Sequence, residues 1–321
     1  MDLIYMNSDK EDIGVLLNYE LDLAVGADEN NFECRIQNEA HCCGSGFYLY
    51  IEGTEYGGIV DNIESDTRNG EVAYSGRTWQ GILNSKVIEP DAGQDYLVLS
   101  GEANSVIASL ISRLGLSDLF EASTEDSGLT IRNYYMNRYI EGYYGINKML
   151  SSAKGKLRFL YKNGKVILSA VEKADYSVGS EFTSSQVAFM LRKKYRTVNH
   201  LICLGSGELA ARMVIHLYTD AEGNISETQT QFGLEEYTAV YDYPNVGSEE
   251  DLKNGGIEEL KSLWQPDEIL IDFDNTSDSC DVGDIVGAVD EITGVSVTSE
   301  ITKKIVTIKN GQATISYKVG E

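Results

Sequence analysis

The run from Phe47 to Pro90 constrains this chain more than any other, because it turns back on itself as a β-meander and then breaks into a helical corner. Phe47-Tyr48-Leu49-Tyr50-Ile51 leads into a Glu52-Gly53-Thr54 turn. A long strand runs from Tyr56 to Asp66, then an Arg68-Asn69-Gly70 turn and the strand Glu71-Val72-Ala73-Tyr74-Ser75. Tight turns between extended runs force antiparallel neighbours. The corner itself reads Gly76-Arg77-Thr78-Trp79-Gln80-Gly81-Ile82-Leu83. With 31 Gly, 3 Pro and 20 Tyr against 8 Phe, the whole chain favours strands and tight turns over helix bundles. Its 321 residues allow two or three domains.

The remaining segments extend this pattern. Leu3–Met6 and Ile13–Tyr19 flank an Asn7-Ser8-Asp9-Lys10 turn, and Phe32–Ile36 alternates apolar and polar as a half-buried strand does. Tyr96–Ser100 reads as a strand. Val106, Ile107, Leu110, Ile111 and Leu114 lie on one helical face within Ala103–Leu114, and Gly115 is placed to end that helix. A shorter helix is expected over Tyr144–Ala153. Asn163-Gly164 joins Lys156–Tyr161 to Val166–Val171 as a two-residue hairpin. Strands are expected at Val187–Leu191, Val198–Leu204 and Met213–Tyr218, and helix over 235–265, weakened by Gly255-Gly256. The last strands are Glu268–Phe273, Asp284–Asp290, Val295–Ile308 and, after Asn310-Gly311, Ala313–Val319. A β block interrupted by an α/β insertion and then resumed suggests barrels or sandwiches closed by distant segments.

The net charge of -25 argues against phosphate neutralisation of nucleic acid and against adhesion to anionic membranes. It suits solubility, or a surface that polyanions pass without sticking. Five Cys at irregular spacing make no disulfide framework, Met1-Asp2-Leu3-Ile4-Tyr5 does not open a signal peptide, and no apolar run approaches a membrane span. A soluble protein made in a reducing cytosol is expected.

Catalytic readings fall short of residues. Asp272-Phe273-Asp274-Asn275-Thr276 after an apolar strand resembles the nucleophile motif of haloacid-dehalogenase-type phosphotransferases, where the two Asp would act with Mg²⁺. That family needs a long α/β chain after the motif, whereas the residues beyond Thr276 read as antiparallel β. The Asp272, Asp274, Thr276, Asp278 spacing also partly matches a Ca²⁺ loop, but Ser277 and Gly283 stand where Gly and a bidentate Glu belong. His41-Cys42-Cys43 near Cys34 lacks zinc-ligand spacing. Gly44-Ser45-Gly46 and Gly205-Ser206-Gly207 are too short for nucleophile elbows. His200 and His216 alternate with apolar residues, as packed or interfacial strand positions do. Tyr134, Tyr135, Tyr139, Tyr143 and Tyr144 can serve core packing, sugar stacking or a partner. The Arg192-Lys193-Lys194-Tyr195-Arg196 run reads as a solvated strand end or a patch for an acidic neighbour.

Three ordered motifs carry a resemblance. They are the meander ending in Gly76-Arg77-Thr78, Gly81-Ile82-Leu83 and Pro90; Val198–Leu209 with Arg212 and Val214–Tyr218; and Val282-Gly283-Asp284-Ile285-Val286 with Ile292-Thr293-Gly294-Val295. Together they resemble the tail-hub (baseplate hub or tail-tip) proteins of Gram-positive phages and phage-derived tail particles. Trp79 is bulkier, and Ser206 shorter, than that family's pattern leads one to expect. The resemblance implies a β-rich α+β fold with two β-barrel-like domains, an α/β insertion and a short helical segment before the C-terminal strands. Its segments would be 1–90, 91–175, 176–234, 235–266 and 267–321. It implies a non-enzymatic homotrimeric ring without cofactor or metal. That ring would join a six-fold tail tube or distal tail protein to a three-fold spike or fibre, near a tape measure protein, and leave a passage for DNA. Any lytic activity is expected on a separate protein. By residue type, Gly76 and Gly81 suit a sharp corner, and Arg77 suits a carboxylate across a domain or subunit boundary. Gly205, Gly207 and Gly283 suit tight turns. Trp79, Glu208 and Asp284 complete the structural or interface candidates.

Overall fold

A computed structural model describes residues 1–37, 43–177, 182–183, 189–264, 267–273, 280–309 and 311–319. The chain opens with β1 (Leu3–Met6), β2 (Asp12–Leu16), β3 (Tyr19–Gly26), β4 (Asn31–Gln37), β5 (Tyr48–Tyr50), β6 (Gly57–Asp66) and β7 (Glu71–Thr78). Next come α1 (Trp79–Asn84), β8 (Val87–Ile88), β9 (Leu97–Glu102), α2 (Ala103–Arg113), β10 (Phe120–Ala122), β11 (Thr130–Met136), β12 (Ile140–Glu141) and α3 (Gly142–Ser152). They are followed by β13 (Gly155–Lys162), β14 (Lys165–Glu172), β15 (Asp175–Tyr176), β16 (Phe182–Thr183), β17 (Phe189–Lys193), β18 (His200–Leu204), β19 (Val214–Thr219), β20 (Ile225–Ser226) and β21 (Thr238–Asp242). The chain closes with α4 (Glu249–Leu263), β22 (Asp267–Phe273), β23 (Ile285–Val289), β24 (Ser296–Lys309) and β25 (Gln312–Val319). This is a β-rich α+β protein. Met1–Phe189 with Leu270–Val319 form one compact unit, and Met190–Ile269 form the body of a second.

In the first unit the strands run β25-β24-β3-β4-β7-β6-β5-β1-β2 in one sheet. Its two ends of sequence meet where β24 pairs antiparallel with β3, Lys309 opposite Glu20 through Lys303 opposite Gly26. Leu3, Leu16, Leu21, Phe32, Leu49, Val60, Tyr74, Val306 and Ile308 bury into one shared core, so the sheet curls over that core. Among the described residues no sheet closes into a hydrogen-bonded ring. The reverse faces of β1 and β5 supply Met6 and Tyr50 to a second core, built with Trp79, Ile107, Phe120, Ile146, Phe159 and Leu168 around α1–α3. The N-terminal half of β24, the far half from β3, branches the large sheet by pairing with β23, which pairs in parallel with β15 and β16.

Local chemistry explains the element ends. Thr78 Oγ1 accepts a hydrogen bond from Gly81 N at 3.2 Å and starts α1. The Glu102 carboxylate caps α2 through Asn104 N and Ser105 N, and Gly115 beyond its end is left-handed at φ 69°. Asn163 and Gly164 both take positive φ, as a two-residue hairpin requires.

Two expected elements are redrawn by the structure. The strand expected over Ile13–Tyr19 ends at Leu16, and Tyr19 begins β3, the central strand that pairs with both β4 and β24. The helix expected over 235–265 begins only at Glu249, and Thr238–Asp242 is instead β21, parallel to β18. Glycine inside α4 has a packing reason, because a Cβ at Gly256 would stand 2.4 Å from Cys203 Sγ.

In the second unit the sheet order is β20-β19-β18-β21. Leu201, Cys203, Ile215 and Leu217 on one face of the sheet bury with Leu252 and Leu260 of α4. Ser248 caps α4, with Glu249, Glu250 and Asp251 in its first turn and Lys261 in its last, each favourable to the helix dipole. Among the described residues no helix is long and apolar enough to cross a membrane.

Candidate functional site

The Gly76 corner is built by close approach rather than by unusual backbone angles. A Cβ on Gly76 would lie 1.9 Å from Ile59 O, one on Gly58 2.1 Å from Arg77 O, and one on Gly81 2.1 Å from Asn30 O. Glycine lets β6, β7 and the loop before β4 converge there. Within the chain Arg77 is paired on its own sheet. Its Nε and Nη2 each donate to Asp61 on the neighbouring strand at 2.8 Å, and its Nη1 donates to Ser85 Oγ at 3.0 Å. The Arg77 guanidinium holds the Asp61 carboxyl below its usual range. Trp79 is fully buried, stacked on Tyr161 at 5.4 Å between ring centroids, and its Nε1 has no hydrogen-bond partner.

Gly283 and Asp284 form a second junction within the first unit. Gly283 is left-handed at φ 96°. Asp284 is fully buried and its carboxylate accepts from Lys156 Nζ at 2.7 Å, Ala174 N at 2.8 Å and Asp281 N at 2.8 Å. Nearby, Lys304 Nζ lies 2.6 Å from Glu55 and 3.4 Å from Asp281, with its ammonium over the Tyr56 ring. Burial alone would push the Lys304 pKa down, but Glu55 and Asp281 outweigh it and hold the ammonium charged. Lys303, one residue earlier on the opposite face of β24, pairs with Glu29 and Asp28. These pairs tie the large sheet to β13 and the loop before β4. Sequence reading missed Lys156, Glu55, Lys303 and Lys304. The one signal was two adjacent Lys inside the apolar alternation Ile301–Ile308.

In the second unit the 205–212 loop holds three candidates. Gly205 is not left-handed; a Cβ there would meet Leu252 at 2.9 Å, so it makes room for the core. Gly207 is left-handed at φ 99°, and Glu208 is exposed beside Leu209, which is also left-handed. On the sheet face away from α4, His200 Nε2 and His216 Nδ1 are 2.8 Å apart and His200 Nδ1 is 2.6 Å from Glu236. His200 stacks on Tyr218. Of the tyrosine cluster, Tyr143 is buried in the helical core, whereas Tyr135, Tyr139 and Tyr144 are exposed.

Among the described residues no group of three or more His, Cys, Asp or Glu is placed to hold a metal ion. His41, Cys42, Asp274, Thr276 and Asp278 lie outside the described residues, and the Asp272 side chain is not described.

No family model matches the sequence, and no curated protein matches it. The fold is shared with known structures over nearly the whole chain. A 43 kDa tail protein of prophage MuSo2 from Shewanella oneidensis is similar at a TM-score of 0.60 and 11% identity, covering 99% of this chain and 98% of that one. A tail protein from Neisseria meningitidis is similar at 0.56 and 10% identity, covering 100% and 96%. The prophage tail protein gp18 from Listeria monocytogenes is similar at 0.52 and 10% identity, covering 100% and 94%. This chain therefore has the fold of those three phage tail proteins.

Proposed function

We propose that this chain is a structural tail hub of a tailed phage or phage-derived particle. The observation that carries the reading is the fold shared end to end with three phage tail proteins. Supporting it, the candidate residues serve turns, close packing and a buried ion pair.

In this reading three copies form a ring at the tail tip or baseplate. Each copy carries two barrel-like domains, one the curled large sheet and one nucleated on β23 and the far half of β24. Six such domains face the six-fold tube or distal tail protein, and the three-fold side receives a spike or fibre. The net charge of -25 keeps the lumen from holding DNA as it passes. The three sequence motifs support a phage or bacteriocin-like particle of a Gram-positive host, assembled in the bacterial cytoplasm. Gly76, Trp79, Gly205, Gly283 and Asp284 act as internal supports, Arg77 braces the corner, and Gly207 and Glu208 present the exposed loop to a partner. The chain acts without catalysis, metal or cofactor.

The test is co-purification with the tail-tube and distal-tail proteins of the same particle, followed by imaging of the assembly. A three-fold density at the end of a six-fold tube is expected. A chain that binds neither protein and lies elsewhere in the particle refutes the reading.

A further inference from the structure

The chain carries 51 Asp and Glu against 26 Lys and Arg, yet one cleft in the first unit has no carboxylate in its lining. It has a volume of about 620 Å³ and is lined by Thr130, Arg132, Asn133, Tyr135, Ser152 and Lys154, among others. Arg132 and Lys154 are exposed, and among the described residues neither forms an ion pair or a side-chain hydrogen bond. Elsewhere in this unit Arg77 is committed to Asp61 and Arg113 to Asp91. The register of β11 against β9 shifts between Ile131 and Tyr134, which re-aims the side chains at the cleft. Asn133 and Lys154, on opposite sides of the cleft in sequence, are both left-handed, at φ 44° and 59°.

An apolar patch adjoins these cations. Tyr135 is 61% exposed, Tyr96 52% and Val98 49%. Val98 faces Tyr135 across the strand pair, and the Tyr96 and Tyr135 rings meet edge to face at 6.0 Å. Among the described residues β9 and β11 pair only with each other, so this ribbon keeps free edges. Exposed Tyr beside an uncommitted Arg is the composition of an interface core, and a guanidinium binds a carboxylate through two parallel hydrogen bonds.

We propose that this surface docks a second copy of the chain, seating that copy's carboxylates on Arg132 and Lys154 and closing over Tyr96, Val98 and Tyr135. Charge complementarity names the occupant: carboxylates outnumber cations about two to one over the chain, and this cleft has none. The inference rests on the trimeric reading, because a three-fold ring needs a heterologous contact in which one patch meets a different patch on its neighbour. A cationic, aromatic patch on an otherwise acidic chain supplies one half of such a contact.

Sedimentation velocity and native mass measurement on the wild-type chain, R132E/K154E and Tyr135→Ala decide the matter, with thermal unfolding confirming that each variant folds. Concentration-dependent association is expected in the wild type, weakened by salt. About a tenfold or greater loss of self-affinity is expected in R132E/K154E and in Tyr135→Ala. If R132E/K154E is destabilised, Arg132→Ala, which only shortens an exposed side chain, is used in its place. Wild-type-like association of the folded variants overturns the inference, as does a wild-type chain that stays monomeric at every concentration. Saturable binding of oligogalacturonate at this cleft by a monomeric chain also overturns it and assigns the cleft to an acidic glycan. Binding to the tail-tube and distal-tail proteins judges the hub reading separately, so the two can fail independently.

Discussion

Replacing Asp284 by Ala should unfold the first unit more readily than any exposed substitution. The change removes a fully buried carboxylate that receives Lys156 Nζ and two backbone N–H groups. The Lys156 side chain is only 10% exposed, so its ammonium is left charged with little water to replace its partner. Breaking a buried pair by removing one member costs about 3–5 kcal/mol. Each orphaned N–H adds about 1–3 kcal/mol where water cannot reach it. The terms overlap, and we expect a loss of roughly 5 kcal/mol, or about 10–20 °C in Tm at 2–4 °C per kcal/mol. Urea unfolding followed by tryptophan fluorescence measures it, since the buried Trp79 reports on the same unit. The double variant Lys156→Met with Asp284→Ala should recover part of the loss, because no charge is then stranded. A loss below about 1 kcal/mol in Asp284→Ala refutes the reasoning. A double variant as unstable as Asp284→Ala shows that the N–H groups, not the ion pair, carry the cost.

Other consequences can be measured independently. Gly76→Ala places a Cβ 1.9 Å from Ile59 O, so β6 and β7 must part; a loss of about 1–3 kcal/mol is expected in the same unfolding assay. Burial pushes the Glu102 carboxyl up, but hydrogen bonds from Ser127, Asn104 and Ser105 outweigh it and bring the pKa down to about 2. A depressed carboxylate stabilises above its unfolded pKa near 4.5 and loses that contribution as pH falls towards about 2. Glu102→Gln should therefore flatten the stability profile over that window, with about 1 kcal/mol lost at neutral pH as the cap weakens. Burial raises the Cys203 thiol to about 11. Iodoacetamide at about pH 8, well below that value, should leave Cys203 unmodified in the folded chain and label it in urea, as peptide mass mapping will show.

The meander from Tyr48 to Thr78, the Asn163-Gly164 hairpin and the Ala103–Arg113 helix were legible because turn chemistry and side-chain period are local properties. β3 and β21 were not. Tyr19–Gly26 follows β2 after only two residues and reads as its continuation, and Thr238–Asp242 sits beside a helical pattern. Their strand character comes from partners distant in sequence, β24 for the first and β18 for the second. The candidate residues show the same division. That Gly76, Gly207 and Gly283 mattered could be read from their type. Which of them answers to a left-handed φ and which to a neighbouring carbonyl could not.

By itself the amino-acid order determined the β-rich class, the turns, the caps and an acidic surface, all set within a few residues or by composition. Tertiary structure alone decided that the last strands complete the sheet begun by the first, that residues 190–269 fold around a core of their own, and where each buried charge finds its counter-charge. The physical reason is range. A turn or a cap is satisfied by its neighbours, whereas a carboxylate such as Asp284 must be met by a lysine 128 positions away that only the folded chain brings to 2.7 Å.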